Sequence, residues 1–176
     1  MKKIIWLALI LLSAKVTHAQ YKPVNEGSSV NFTISNFGFD VTGTFSGLMG
    51  KINFDPQQPA IDDFDVTIDA ATVNTGNSLR DKHLIEDSYF DVANYQRIHL
   101  VSLGISGKNG AYRFTGKLTI KGKTKDIAFP FTVTSTADGL IFHGAFKINR
   151  KDFDVGGTST ISNELQVDLT VHAIKV

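Results

Sequence analysis

Histidine, carboxylate and serine side chains are the usual carriers of catalysis and metal binding, and in this chain their spacing indicates neither. Beyond the N-terminal segment the histidines are His83, His99, His143 and His172. No two of them stand at a spacing typical of metal ligands, and the chain has no cysteine to complete a zinc site. No Gly-x-Ser-x-Gly element occurs, and Ser, His and Asp are too common for their presence to indicate a triad. The sequence therefore predicts a protein that is not an enzyme and that uses no metal or cofactor.

Two short polar clusters have the chemistry to contact the polar head group of a ligand. They are Arg80, Asp81 and His83, in a segment without strand alternation, and Arg150 and Asp152, at the end of a predicted strand. In one hypothesis Arg80, His83 and Arg150 face the head group, and the two carboxylates orient them. The alternative is an ion-pair network that pins a short helix to the rim of the fold. Both can hold, because a buried arginine needs a partner that a head group can share.

The elements that must position these groups are strands with one apolar face. Five stretches alternate apolar and polar residues with a period of two, and their apolar phase is rich in phenylalanine: residues 64–68, 111–121, 126–133, 140–148 and 165–173. Successive side chains on a strand point to opposite sides, so each stretch is predicted to be a strand with one apolar face.

Turn residues order the strands into a meander. Asn109-Gly110 and Asp138-Gly139 favour the tight primed turns of hairpins. The strand candidates are 29–36, 39–55, 62–70, 98–106, 111–121, 126–135, 140–149 and 161–174. Within 39–55 the apolar phase changes near Gly47 and Gly50, which indicates a bulge or bend. Eight antiparallel strands without a capped edge predict an all-β fold closed into a barrel.

Residues 78–87 do not alternate and predict a short helix. Ser78 is expected to cap it, with Asp81 three residues later in the manner of a capping box. We expect a helix of one to three turns that could cover one end of the barrel.

The first 19 residues have the layout of a secretory signal peptide. Lys2 and Lys3 give a positive start, residues 4–12 form an apolar run, and Thr17-His18-Ala19 is a small-residue cleavage site. The run is shorter than the roughly 20 residues that a transmembrane helix needs. We therefore predict a signal peptide over residues 1–19, a single domain over residues 20–176 without a transmembrane segment, and a periplasmic or secreted location.

The composition of the mature chain argues against some classes of partner and against disulfide bonds. Cleavage removes three of the 18 basic residues and none of the 17 acidic ones, so the net charge changes from +1 to −2. This balance argues against nucleic acid as a partner. The chain has no cysteine, so no disulfide contributes and stability must come from burial.

The alternation alone leaves open what the apolar face encloses. Eight strands surround an interior that side chains just fill or that holds one ligand. Gly116 and Gly144 fall in the apolar phase at mid-strand, where they leave space along the axis or let the backbone bend. A strand of eleven residues spans about 36 Å, which favours an elongated ligand. An outer-membrane barrel would turn the same stripe outward, but the mature chain lacks tryptophan, and with it the aromatic girdles of that class.

Three separated motifs resemble those of a known family. They are Thr75-Gly76 with Arg80-Asp81-x-His83-Leu84 and Phe90-Asp91-Val92, then Gly116-x-Leu118-Thr119-Ile120-x-Gly122-x-Thr124-Lys125, and Asn149-Arg150-x-Asp152-Phe153. In their order and spacing they resemble the YceI-like periplasmic proteins, from about Tyr21 to Val176. The resemblance implies a lipocalin-like eight-stranded barrel that binds long polyisoprenoids or similar amphiphiles, with the apolar phase facing inward. The chain departs from the family at Asn36, where histidine is frequent, and at Gln96, where proline is common; a changed polar group near the mouth bears on head-group preference.

The resulting prediction is a soluble, exported lipid-binding protein that holds a polyisoprenoid or fatty-acyl lipid in the lumen of the barrel. The tail is expected to contact Phe32, Ile34, Phe45, Phe64, Val66, Phe114, Leu118, Phe129, Phe131, Phe142, Phe146, Leu165 and Val167. The alternative is a barrel packed solid that acts through its surface as a stress-related interaction protein without a lipid ligand. Related proteins are often dimeric, which leaves a homodimer open.

Overall fold

The computed structural model describes residues 19–158 and 160–176. The predicted signal peptide, residues 1–19, lies outside these ranges apart from Ala19.

Eight antiparallel strands form a closed barrel in which every strand pairs with its neighbours in sequence and the last strand pairs with the first. The strands are β1 (Gln20–Asn36), β2 (Phe39–Asn53), β3 (Asp63–Asn74), β4 (Arg97–Lys108), β5 (Ala111–Ile120), β6 (Lys123–Ser135), β7 (Gly139–Asn149) and β8 (Ile161–Lys175). Closure occurs along the β1–β8 pair, from Tyr21 opposite Lys175 to Asn36 opposite Ile161. The predicted fold class is confirmed.

Strand β1 begins at Gln20 rather than at residue 29, so its predicted start is wrong. The pairing of β1 with β8 shifts register between Val24 and Ser29, and Gly27 in this interval has a φ of 73°. Such an irregularity interrupts the alternation of side chains, which is why the first part of the strand carries no period-two pattern. Among the other strands the largest difference is at β3, which runs to Asn74 rather than to residue 70.

The bend predicted in β2 is present. Its pairing with β3 shifts register between Thr44 and Ser46 and again between Ser46 and Met49. Gly47 lies in the second interval with a φ of 70°, a conformation that glycine adopts without steric cost. The bulge turns the second half of β2 so that Leu48 is buried.

The one α-helix among the described residues, α1 (Ser78–Leu84), lies in the connection between β3 and β4. Its N-cap is Asn77, whose side chain accepts hydrogen bonds from the backbone N–H groups of Leu79 and Arg80. The predicted Ser78 cap with an Asp81 capping box is therefore wrong by one residue. Asn77 has extended backbone dihedrals and a side-chain acceptor, which are the properties of a good N-cap.

The apolar phase of the strands faces inward. In β5 the side chains of Tyr112, Phe114 and Leu118 are buried, whereas those of Arg113 and Lys117 are exposed. Buried phenylalanines of β3, β6 and β7 meet them inside the barrel. The interpretation in which this stripe points outward is wrong.

Candidate functional site

The two ends of the barrel differ. We call the end that carries the β1–β2 turn, helix α1 and the β7–β8 connection the open end, and the end that carries the β2–β3 connection the closed end. A cavity of about 240 Å³ extends from the open end into the interior. All eight strands contribute to its lining, and helix α1 borders it through Arg80 and Leu84.

The predicted tail contacts lie together around this cavity. Its lining includes all of Phe32, Ile34, Phe45, Phe64, Val66, Phe114, Leu118, Phe129, Phe131, Phe142, Phe146, Leu165 and Val167. The side chains of these residues are hydrocarbon, so the cavity favours an apolar occupant.

Phe54 lies behind the inner end of the cavity, outside its lining. It follows β2 directly, and its side chain is completely buried. Its ring packs edge-on against Tyr112 and Phe142, with centroids 5.1 and 5.4 Å away, and lies 6.0 Å from the ring of Phe64. Tyr112 and Leu140 likewise belong to the packed cluster but not to the cavity lining, whereas Phe64 and Phe142 belong to both. The barrel is therefore hollow towards the open end and filled at the closed end.

A column of stacked rings forms one wall. Phe129 stacks on Phe114 with centroids 4.8 Å apart and on Phe146 with centroids 4.6 Å apart. A Cβ atom added at Gly144 would lie 3.0 Å from the ring of Phe129, and one at Gly116 would lie 2.5 Å from the ring of Phe114. The two glycines thus make room for phenylalanine rings; Gly144 also lines the cavity, whereas Gly116 does not.

Arg80 is held at the mouth of the cavity by hydrogen bonds to Thr75, which is itself bound by Asp81. Its Nε donates to Thr75 Oγ1 at 2.7 Å, and its Nη2 donates to the Thr75 carbonyl at 2.9 Å. Asp81 in turn accepts hydrogen bonds from the backbone N–H and the hydroxyl of Thr75. Asp81 therefore orients Arg80 through Thr75, while the half-buried guanidinium borders the cavity.

Arg150 also borders the cavity, but its guanidinium is bound to the backbone of the β7–β8 connection and of the start of β8. It donates to the carbonyls of Ser162 and Val155 at 2.9 Å and to that of Gly156 at 3.0 Å. Its side chain is 6% exposed. These hydrogen bonds hold the rim together through backbone carbonyls.

His83 and Asp152 lie outside the cavity lining. His83 is exposed on α1, and Asp152 is exposed within a 3-10 turn, Arg150–Phe153. The structure thus brings Arg80, Asp81 and Arg150 to the open end beside the cavity. The other two predicted head-group residues, His83 and Asp152, do not border the cavity.

Several lining residues were missed by the sequence analysis. Ile120, Ile148 and Val171 continue the apolar phase of their strands, so the alternation could have found them. Leu84, Tyr89, Phe90, Phe153 and Val155 lie in connections between strands, where no period identifies an inward face. For Leu84, Phe90 and Phe153 the only sequence signal is their place in the motifs.

The clearest pKa shifts lie at the closed end, away from the cavity. A hydrogen bond from Thr136 lowers the pKa of Asp138, and burial raises the pKa of Tyr21. Within residues 19–158 and 160–176 there is no cluster of three or more His, Asp or Glu side chains that could hold a metal ion. In the same part of the chain no helix has the length and apolar character to cross a membrane.

A closed antiparallel barrel whose apolar inner face surrounds a blind cavity places the chain in the class of lipocalin-like barrels. The family model of the YceI-like domain matches residues 21–173, and the chain belongs to this family.

Relatives in sequence and in structure cover nearly the whole chain. Protein YceI of Salmonella arizonae is 28% identical over 178 residues, with 96% of this chain and 93% of that protein covered. The crystal structure of Burkholderia cenocepacia BcnA superposes with a TM-score of 0.80 at 27% identity, covering 85% of this chain and 98% of that one. A polyisoprenoid binding domain from Saccharophagus degradans, implicated in plant cell wall breakdown, gives a TM-score of 0.74 at 18% identity, with 91% and 100% covered. At 18% identity, the similarity to the Saccharophagus degradans domain shows a shared fold only.

Proposed function

We propose that this protein binds an isoprenoid or a similar single-chain amphiphile, with the apolar tail in the cavity and the polar head at the open end. The observation that carries the proposal is a cavity lined mainly by hydrocarbon side chains, closed at its inner end by packed aromatic rings and bordered by a cation, Arg80, at the other. An amphiphile has the same division into an apolar tail and a polar head.

The energetics favour a long tail. Burial of one CH₂ group contributes about 0.8 kcal/mol, and association costs an estimated ~4–15 kcal/mol in lost freedom. About 5 to 19 buried CH₂ groups are needed to offset that cost. A short acyl chain therefore binds weakly, and a chain of about 20 or more buried carbons offsets the whole of this cost without polar contacts.

The head group is proposed to meet Arg80. Thr75 and Asp81 fix one edge of its guanidinium, and the remaining donors suit a carbonyl, hydroxyl or phosphate oxygen. Arg150 is not proposed as a direct contact, because its guanidinium already donates hydrogen bonds to backbone carbonyls of the β7–β8 connection and of the start of β8.

The ligand class of a protein with the same fold supports the proposal that this cavity binds an isoprenoid. The Saccharophagus degradans domain is described as polyisoprenoid binding, and a polyisoprenoid needs the kind of apolar cavity present here. We further propose that the protein is exported, with residues 1–19 as its signal peptide. The cavity is at odds with the alternative of a barrel packed solid throughout.

The test is native mass spectrometry of the protein purified from its own host without detergent, followed by extraction and identification of any bound lipid. We expect one isoprenoid or fatty-acyl molecule per chain. An empty protein that also takes up no added prenol or fatty alcohol would overturn the proposal.

A matched pair of variants controls for trapping of lipid on the surface. Gly144→Phe places a ring inside the cavity, whereas Ala145→Phe places the same ring on the exposed face of β7. Extracted lipid should be lost from the first variant and retained by the second.

A further inference from the structure

We propose that the open end of the barrel docks onto a zwitterionic lipid bilayer through the β1–β2 turn, so that a ligand chain passes from the membrane into the cavity without entering water. We call Phe37-Gly38-Phe39, at the tip of this hairpin, the aromatic tip. The inference rests on the proposed function and adds the surface from which the ligand is taken.

The aromatic tip is exposed although it is apolar. Phe37 is 73% exposed and Phe39 is 77% exposed. Leu79, on the first turn of α1 at the same end of the barrel, is 64% exposed. Met49 and Leu103 are also exposed, but they lie singly on the barrel wall, on β2 and β4. Single exposed apolar side chains are ordinary, whereas several at one end of a protein indicate an interaction site.

The backbone of the turn makes Phe37 an unexpected residue at its position. Phe37 has a φ of 52° and Gly38 a φ of 82°, and Asn36 pairs directly with Phe39, so the connection is a two-residue turn of type I′. This turn prefers asparagine at the position of Phe37, because a bulky side chain with positive φ is strained. Phe37 therefore gives the fold neither a favourable backbone conformation nor a buried ring. Its ring is available to a surface outside the chain.

Phe39 connects the tip to the cavity. Phe39, Val41 and Phe45 lie on the same face of β2, and Val41 and Phe45 line the cavity. The partner of Phe39 on β1, Asn36, lines it as well. Phe39 therefore continues the apolar inner face of β2 beyond the mouth and into solvent. A hydrocarbon chain that enters here from a membrane meets apolar side chains of β2 from the tip to the cavity.

The charges near the tip favour a bilayer without net charge. Residues 35–39 carry no charged side chain, and the next residue, Asp40, is acidic and exposed. Helix α1 carries both signs, in Arg80, Asp81 and Lys82. These residues do not form the patch of one sign that attracts a charged macromolecule or an anionic membrane.

The area of the tip argues against a stable contact with another protein. A phenylalanine side chain buries roughly 150–250 Å², so at about three-quarters exposure the two rings offer roughly 300 Å². A stable interface takes about 800 Å² from each partner. In a membrane no such minimum applies, because each ring that enters the hydrocarbon region contributes separately. Burial of one phenylalanine corresponds to a roughly ten- to hundredfold gain in partitioning.

The experiment is flotation of the full mature protein, stripped of lipid, with phosphatidylcholine vesicles. We expect the wild type to float with the vesicles in high salt as in low salt. Phe37→Asn should lower the partition coefficient at least tenfold, while the midpoint of urea unfolding stays the same or rises, because asparagine suits the turn. Leu103→Asn is the matched control: it removes an exposed apolar side chain from the barrel wall and should float like the wild type. Equal partitioning of the two variants would overturn the proposal.

Two other results would also overturn it. Binding that requires anionic lipid, or that is lost in high salt, would indicate electrostatic attachment. A dimer in analytical ultracentrifugation that Phe37→Asn converts to a monomer would assign the tip to a contact between two copies of this chain.

A transfer assay separates this proposal from the proposed function. A fluorescent prenol is offered either in phosphatidylcholine vesicles or dispersed in buffer. Phe37→Asn should bind the dispersed probe with the wild-type affinity but take it up from vesicles at least tenfold more slowly. If neither protein binds the probe from either source, the proposed function is refuted, and flotation alone decides on docking. If both take it up from vesicles at the same rate, the function stands and the docking is refuted.

Discussion

Arg150 and Arg80 both border the cavity, and their substitution by methionine should separate a structural arginine from a ligand-contacting one. Arg150 donates three hydrogen bonds of 2.9–3.0 Å to backbone carbonyls of the β7–β8 connection and of the start of β8. A hydrogen bond to a charged group contributes roughly 1.5–3 kcal/mol, and part of that loss is recovered where water reaches the carbonyls. We expect Arg150→Met to lower the free energy of unfolding by about 3–5 kcal/mol, the range for breaking a buried polar network.

Arg80→Met is the matched control. Its guanidinium is half-buried, and its two hydrogen bonds both go to Thr75, so water can replace the lost donors. We expect a loss of only about 1 kcal/mol in stability, together with weaker binding of amphiphiles that carry an anionic head.

The assay is urea unfolding of delipidated protein, followed by far-ultraviolet circular dichroism, with the slope against denaturant checked for constancy. The reasoning is refuted if Arg150→Met costs less than about 1 kcal/mol, or no more than Arg80→Met.

Three further predictions concern the cavity, the helix and the closed end. Gly144→Phe should weaken prenol binding at least tenfold while circular dichroism shows a folded barrel, and Ala145→Phe should bind like the wild type; equal affinity in both variants contradicts the cavity. Asn77→Ala removes the cap of α1 and should lower the free energy of unfolding by about 1 kcal/mol in urea titrations; no change would show that the cap is dispensable. The lowered pKa of Asp138 favours the folded state above the ordinary aspartate pKa, and this contribution is lost as the pH falls through the lowered value. Thr136→Val should raise that pKa in a carboxyl NMR titration; an unchanged pKa would exclude the Thr136 hydrogen bond as its main cause.

Strand patterning predicted the barrel because the inner face is continuous. Phe114, Leu118, Phe142 and Phe146 occupy alternate positions and are all turned to the interior. The start of β1 was missed because the register shift between Val24 and Ser29 removes the period on which the prediction depends.

The depth of the cavity could not be predicted from the alternation of apolar and polar residues. Alternation assigns a side chain to a face but gives no information on which axial level is filled. Phe54, which belongs to the cluster that fills the closed end, comes just after the last residue of β2, where no strand period applies. For the polar residues, too, the sequence predicted only part of the arrangement. The motifs located Arg80 and Arg150, but the sequence does not show which backbone carbonyls each guanidinium binds, and these contacts distinguish the two arginines.

The seam between β1 and β8 has a consequence for how the chain folds. It joins Tyr21 to Lys175, and the backbone N–H of Val176 donates to the Gln20 carbonyl at 3.0 Å, so the seam pairs residues more than 150 positions apart in sequence. Contacts so distant in sequence make folding slow, because the entropy of closing the loop is lost before the contacts form. Until β8 is in place, β1 and β7 expose unpaired edges that can pair with another chain. Closure of the β1–β8 seam is therefore the step that removes both exposed edges.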